Sequence, residues 1–231
     1  MNFVEVMNKL RAFPVPTGWP GALFQLPEGA MKEVFQAVVA GRFSSCIELG
    51  TGFGATTCVL AAALEANGSG RVVTVDMFRH EPVNVDVVSS HVGLRERIDI
   101  VVDPLGYNWY LADRIRRESE SGTCKPVFDF CLLDGAHEFE PDALAFTLVA
   151  KLLKPGGVLV LDDVNFHLRQ IPNWRDSFGN RSDRELDTEQ IRMVWELLVR
   201  QHPDFEDFRL RQDGRLGWAR RRKQRFWGRS M

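Results

Sequence analysis

The stretch CIELGTGFGATT, Cys46 to Thr57, constrains the fold of this chain more than any other. Cys46, Ile47 and Leu49 read as a short buried strand, which breaks at Gly50, Gly52 and Gly54 and enters a helix at about Ala55. Glycine lets backbone approach a ligand closely, and a helix start offers unpaired N–H groups. A strand, a tight turn and a helix start in that order form a nucleotide-type cradle. Glu48 lies within the strand, and Asp76 ends the next one, RVVTVDM. Two carboxylates facing a glycine turn suit a ligand with an amino group and a ribose diol, and they repel a phosphate. The bland alternative is a glycine turn of an α/β fold that binds nothing.

The spacing separates two adenosine ligands. The dinucleotide fingerprint is G-x-G-x-x-G, whereas here it is G-x-G-x-G, with Ala55 in the slot of the third glycine. The stretch resembles motif I of class I S-adenosylmethionine (SAM) methyltransferases, whose cofactor carries a sulfonium and an ammonium and no phosphate. The resemblance implies SAM as cofactor, cradled by Gly50, Gly52 and Gly54. It implies Glu48 as partner of the ammonium or of the turn backbone, and Asp76 on the ribose hydroxyls. Thr56 would be a cofactor-contacting hydroxyl or a helix-start stabiliser. Asp103 would lie near the adenine, and Asp134 beside the cofactor.

Beyond the turn, strands expected at 45–49, 71–77, 98–103, 127–134 and 157–163 alternate with helices expected at 55–66, 82–92, 109–120 and 141–153. The strands are near-continuous apolar runs, as when helices cover both faces of a parallel sheet. Such sheets bind ligands at the carboxyl ends of their strands. The segment 165–186 is polar and aperiodic and reads as a long loop. A helix is expected next over 188–201, with Asp187 as N-cap and Ile191, Val194, Trp195 and Leu198 as its buried stripe. FEDFRLRQDGRLGWARR reads as two strands about an Asp213-Gly214 turn. Class I methyltransferases end in such a hairpin. The expected fold is therefore α/β: a doubly wound, mostly parallel, seven-stranded Rossmann-like sheet ending in an antiparallel hairpin. The expected division is an N-terminal helix and strap over residues 1–26, the methyltransferase domain that the resemblance implies over 27–221 and a basic tail over 222–231. The strap, FPVPTGWPG with the residues up to Leu26, is either a surface connector or a flap with Trp19 or Phe24 as a cover.

The stretch LLDGAHEFEPDALAFTLVAKLLKPGGVLVLDDV resembles the metal-dependent small-molecule O-methyltransferases, the catechol O-methyltransferase-like and bacterial sugar and macrolide group. Those families place one Asp after strand 4 and an Asp-Asp or Asp-Asn pair after strand 5, here Asp134 and then Asp162 with Asp163. The resemblance implies Mg²⁺ or a similar divalent ion on these three hard oxygen donors. Adjacent strand residues point to opposite faces, so Asp162 and Asp163 can both ligate only if the chain turns between them. His137 stands where the catechol-type enzymes carry a catalytic lysine, and imidazole accepts a proton near neutral pH. Its alternative is to cap the helix starting near Pro141. His167, Arg169, Trp174 and Arg175, after strand 5, are candidates to close over a substrate.

The expected activity is methyl transfer from SAM to a hydroxyl of a small molecule with divalent-metal assistance. Alternatives are a metal-independent methyltransferase and a SAM-binding protein that no longer transfers methyl groups. The formal charge of −2 hides six cations and no acid in Arg220–Met231, which leaves 23 basic residues against 31 acidic ones before it. A mildly acidic body argues against nucleic acid as partner, as does LLDGAH in place of an Asp/Asn-Pro-Pro-Tyr/Phe signature. The tail, with Phe226 and Trp227, is expected to be peripheral. Cys46, Cys58, Cys124 and Cys131 show no zinc spacing and imply a reducing compartment. MNFVEVMNKLRAF is too polar for a signal peptide, and no apolar run approaches the roughly 18 residues of a membrane span. A cytoplasmic protein is expected, with a homo-oligomer left open.

Overall fold

The structure is a computed structural model that describes residues 1–19 and 21–223. Seven strands build the main sheet: β1 (Ser45–Leu49), β2 (Arg71–Asp76), β3 (Ile98–Val102), β4 (Phe128–Leu133), β5 (Leu153–Leu161), β6 (Phe205–Arg211) and β7 (Leu216–Arg221). Their order across the sheet is β3-β2-β1-β4-β5-β7-β6. The first five run parallel, and β7 pairs antiparallel with both β5 and β6. The strand order reverses at β1, so the crevice of a doubly wound sheet opens at the glycine turn.

Alternate strand residues divide between two cores, as a two-residue side-chain period dictates. Cys46, Phe130 and Val158 pack with helices α1 (Phe3–Arg11), α2 (Glu28–Ala40), α3 (Ala55–Ala66) and α4 (Val85–Val92). Ile47, Cys131 and Leu159 pack with α5 (Tyr107–Glu118) and α6 (Phe139–Leu152) on the other face. Cys46, Cys58 and Cys131 are free and buried, small apolar residues of these cores. Among the described residues no helix is long and apolar enough to cross a membrane.

Several boundaries differ from expectation for local reasons. α4 starts at Val85 because Asn84 caps it, accepting from the N–H groups of Asp86 and Val87 at 3.1 and 3.2 Å. α5 ends at Glu118, and Ser119–Glu120 pairs with Thr123–Cys124 about Ser121-Gly122, both at positive φ. β5 begins at Leu153 rather than 157, and a register shift against β4 between Phe128 and Phe130 absorbs the extra residues.

Segment 165–186 is not a plain loop. It holds a 3₁₀ turn, Leu168–Gln170, and two short helices, α7 (Trp174–Phe178) and α8 (Asp183–Asp187). Short-range pairing orders it: Arg169 bonds Asp183 at 2.7 Å and also Asp187, and it lies over the Trp174 ring at 4.9 Å. Asp187 therefore ends α8 and does not cap the next helix, α9 (Gln190–Met193), which runs into a π-helical turn over Val194–Val199. The expected buried stripe holds at Ile191, Val194 and Trp195, while Leu198 is only partly buried. Of the basic tail, Arg220 to Lys223 are described; Phe226, Trp227 and Arg229 lie outside the described residues.

Candidate active site

Backbone ladders bring the carboxyl ends of the strands level. Gly50 N–H donates to Val75 O, Asp134 N–H to Leu49 O and Asp162 N–H to Leu133 O, at 2.9, 2.9 and 3.0 Å. Asp76, Gly50, Asp134 and Asp162 therefore stand in one row along the edge of β2, β1, β4 and β5. Above this row opens a cavity of about 340 Å³, lined on one side by Gly50, Gly52 and Asp76 and on the other by Asp134, His137 and Asp163. A larger cavity, about 610 Å³, lies between α2 and the β6–β7 hairpin. It contains neither the glycine turn nor the acid cluster, so the chemistry points to the smaller one.

Gly50 sits at φ +93°, and a Cβ there would lie 1.8 Å from the carbonyl oxygen of Asp134. Only glycine lets the turn close this tightly on the end of β4. Asp76 buttresses the turn from below: Oδ2 accepts from the N–H groups of Thr51 and Gly52 at 2.9 and 3.1 Å, and Oδ1 from Met77 N–H at 2.7 Å. A carboxylate has about four acceptor positions, so one is left unused by these three bonds. Met77 and Phe78 are exposed beside it, and the Phe78 ring packs edge-on against His80.

Glu48 is buried and faces α3, not the cavity. Its Oε2 accepts from the hydroxyl of Thr57 and from that of Thr74 at 2.6 Å, and the Thr74 hydroxyl lies 2.6 Å from that of Thr51. Burial pushes its pKa up to about 7, opposed by the two hydroxyl hydrogen bonds and reinforced by Asp76. Thr51, Thr57 and Thr74 were not singled out from sequence, and it is Thr57 rather than the neighbouring Thr56 that bonds Glu48. Asp103 is not brought to the cavity lining. Its carboxylate accepts from Leu105 N–H at 3.0 Å and shapes the loop into α5.

The chain does turn between Asp162 and Asp163, which takes a left-handed φ of +57°. The expected metal set, Asp134 with Asp162 and Asp163, does not converge. Arg215, from the turn between β6 and β7, donates Nε to Oδ1 of Asp162 at 2.7 Å and Nη2 to Oδ2 at 2.6 Å. Asp162 is only 2% exposed, so this fork pairs a buried charge. Nη2 also lies 3.0 Å from Asp163 Oδ1, and His137 Nδ1 lies 3.4 Å from Asp163 Oδ2. The groups that do converge are Asp134, His137 and Asp163, whose donor atoms lie within 4.8 Å of one another. Burial and the neighbouring acids hold the Asp134 carboxyl well above its ordinary range, and Asp163 is raised for the same reasons.

His137 does not cap α6. It sits at φ +57° on the cavity wall, and the first N–H of that helix, on Phe139, donates to Gln190 Oε1 at 2.7 Å. The turn that presents His137 is held by Tyr107, whose hydroxyl bonds Asp142 and accepts from Ala136 N–H at 3.2 Å. Gly135 leaves room for that ring, since a Cβ there would lie 2.6 Å from it. Sequence reasoning missed Tyr107, Asp142 and Arg215, because partners 29 to 53 residues apart leave no local signal.

The strap crosses the glycine turn. Trp19 packs edge-on against Phe53 with ring centroids 4.6 Å apart, Phe24 packs against the core, and Gln25 reaches the cavity lining. His167, Arg169, Trp174 and Arg175 are not among the lining residues. Both arginines lie over the Trp174 ring, Arg175 at 4.5 Å, so this segment is tied to itself.

Residues 47–164, just over half of the chain, match the family model described as a methyltransferase domain. The chain belongs to this methyltransferase family. No curated protein matches it in sequence. Among solved structures it is similar to an O-methyltransferase from Bacillus cereus in complex with S-adenosylhomocysteine (SAH), at 19% identity and TM-score 0.59, covering 94% of this chain and 88% of that one. It is similar to the O-methyltransferase of tomaymycin synthesis from Streptomyces achromogenes in complex with SAM, at 17% identity and TM-score 0.59, covering 95% and 89%. A SAH-bound methyltransferase from Podospora anserina is similar at 14% identity and TM-score 0.63, covering 96% and 88%. At these identities the likeness is one of fold, and it is the seven-stranded methyltransferase fold that the resemblance implied.

Proposed function

We propose that this methyltransferase uses SAM to methylate a hydroxyl group of a small molecule. The observation that carries the reading is the single cavity joining the glycine turn and Asp76 to the Asp134–His137–Asp163 wall. The cofactor half of that cavity fits SAM. Gly50 lets the turn close on the end of β4 and Gly52 lets Gln25 of the strap lie against it, the remaining acceptor position of Asp76 takes a ribose hydroxyl, and Met77 and Phe78 offer an apolar face to the base. A purine covering their exposed side chains gains the burial that they lack in the protein alone. When bound, SAM supplies an electrophilic methyl group on a good leaving group, so the protein's part is alignment and deprotonation.

His137 removes the proton of the acceptor hydroxyl at Nε2, and Asp163 orients the ring through Nδ1. Tyr107 and Asp142 fix the turn on which His137 sits. A divalent ion on Asp134, Asp162 and Asp163 does not fit this arrangement, because Arg215 holds both oxygens of Asp162. The Asp134, His137 and Asp163 cluster supports a second reading, in which an ion bound there assists and His137 is a ligand. The two roles of His137 exclude each other.

Calorimetry with SAH and with NAD, followed by methyl-transfer assays on a panel of hydroxylated acceptors, tests the proposal. Micromolar SAH binding and SAH formation are expected, and preferential NAD binding would refute it. Activity that survives exhaustive chelation selects the base; activity restored only by Mg²⁺ or Mn²⁺ selects the second reading.

A further inference from the structure

The acids at the ends of β4 and β5 carry a cation of their own, delivered by the far end of the chain. Asp134 and Asp163 line one corner of the cavity and the buried Asp162 lies behind it, three neighbouring acids that repel one another unless positive charge is supplied. Arg215 supplies it in a geometry that a mobile surface arginine would not hold. The fork onto Asp162 is two-pronged, at 2.7 and 2.6 Å, and the same guanidinium lies 3.0 Å from Asp163. Its backbone is fastened as well: Arg215 O accepts from Val164 N–H at 2.9 Å, and Arg215 N–H donates to Gln212 O at 3.0 Å. Nη2 also lies 3.5 Å from the carbonyl of Gln25 in the strap.

We propose that Arg215 is a tethered cation that takes the place of a divalent ion in this site, so that the protein holds its acceptor oxygen without metal. Both oxygens of Asp162 and Oδ1 of Asp163 face the guanidinium, and Asp163 Oδ2 faces His137. Asp134 is then the one carboxylate of the three without a cationic partner among the described residues. The donors left to an ion are Asp134, His137 and Oδ2 of Asp163, two carboxylate oxygens beside a fixed guanidinium that repels a cation, whereas Mg²⁺ and Ca²⁺ bind through several hard oxygens at once. A guanidinium stays charged at every working pH and presents several N–H donors in a plane. Arg215 lines the cavity, and its Nη1 makes no hydrogen bond to the described residues, which leaves a donor nitrogen for the oxygen of the acceptor. This assignment rests on the reading of the cavity as a methyl-transfer site only for the role of that last nitrogen; the displacement of metal stands on the ion pairs alone.

The test is a Mn²⁺ titration followed by the electron paramagnetic resonance signal of the free ion. It compares the full-length protein, Arg215→Met and Arg215→Met with Asp162→Asn. The wild type is expected to bind Mn²⁺ no tighter than about 1 mM, the range of weak carboxylate sites. Arg215→Met is expected to bind at least about tenfold tighter, a gain of about 1.4 kcal/mol, and the added Asp162→Asn to abolish that gain. Equal or tighter Mn²⁺ binding by the wild type than by Arg215→Met would overturn the proposal. If Arg215→Met does not fold, the wild-type titration decides alone: tight binding overturns the assignment, and none up to millimolar Mn²⁺ upholds it. SAH calorimetry on the same samples keeps the two claims apart. Failure of the wild type to bind SAH sinks the proposed function and leaves the Mn²⁺ comparison readable, while strong wild-type Mn²⁺ binding sinks the role of Arg215 and leaves the SAM reading standing.

Discussion

Glu48 shows how one buried acid couples stability to pH. Its pKa is pushed up to about 7 from an ordinary 4.5, so the folded protein binds a proton that the unfolded chain releases between those values. Its contribution is fully present below about pH 4.5 and is lost as pH rises through 7, to an extent on the order of 3 kcal/mol. The melting temperature of the wild type should therefore fall between pH 5 and pH 8.5, and Glu48→Gln should flatten that slope in the same melts. Asp134, Asp142 and Asp163 are shifted in the same direction, so the slope shrinks without vanishing. An equally steep slope in the variant would move the effect to those acids. For His137, replacement by Gln should lower turnover by about 10² to 10⁴ with SAH affinity unchanged, measured by initial rates and calorimetry. The sequence places Glu48 within a buried strand, where an unpaired acid is costly. It did not reveal the hydroxyls that accommodate it, since Thr74 lies 26 residues away on a neighbouring strand.

Among the elements, the first strand, glycine turn and helix were legible to the residue, because apolar period, glycine spacing and helix start agree there. β1 and α3 run Ser45–Leu49 and Ala55–Ala66, as read. The segment after β5 was not legible, because its order comes from Arg169 pairing with acids of α8 and from Trp174 beneath two arginines rather than from an apolar stripe. Likewise, the alternation of Asp162 and Asp163 on a strand could be foreseen, but not the arginine that claims Asp162. The turn makes a sharp prediction. Gly50→Ala forces a side chain into left-handed backbone against Asp134 O, and it should cost about 2 kcal/mol or more and abolish SAH binding. Thermal melts and calorimetry check both, and a variant that binds SAH normally would show that the contact relaxes. Tyr107→Phe removes the hydroxyl shared by Asp142 and Ala136 N–H. It should destabilise the protein by about 1–3 kcal/mol, read from urea denaturation, and lower turnover more than cofactor affinity.

Across the whole molecule, the strap and first helix belong to the same core as the sheet. Val6, Met7 and Leu10 of α1 pack in one cluster with α3 and α4. We therefore expect a protein lacking residues 1–26 to lose several degrees of melting temperature or fail to fold. Solubility with an unchanged thermal melt would contradict this. The hairpin at the other end has a consequence in time. β7 pairs along β5 and carries β6 outside it, while the turn joining the two brings Arg215 to the acids of the central strands. Domains acquire structure while the chain is still being made, and here the glycine turn, Asp76, Asp134 and His137 all emerge from the ribosome well before residue 215. A nascent chain can thus complete its glycine turn early. Its cluster of carboxylates must wait for Arg215, so a chain arrested before that residue would carry the acids of β4 and β5 without the guanidinium that pairs them.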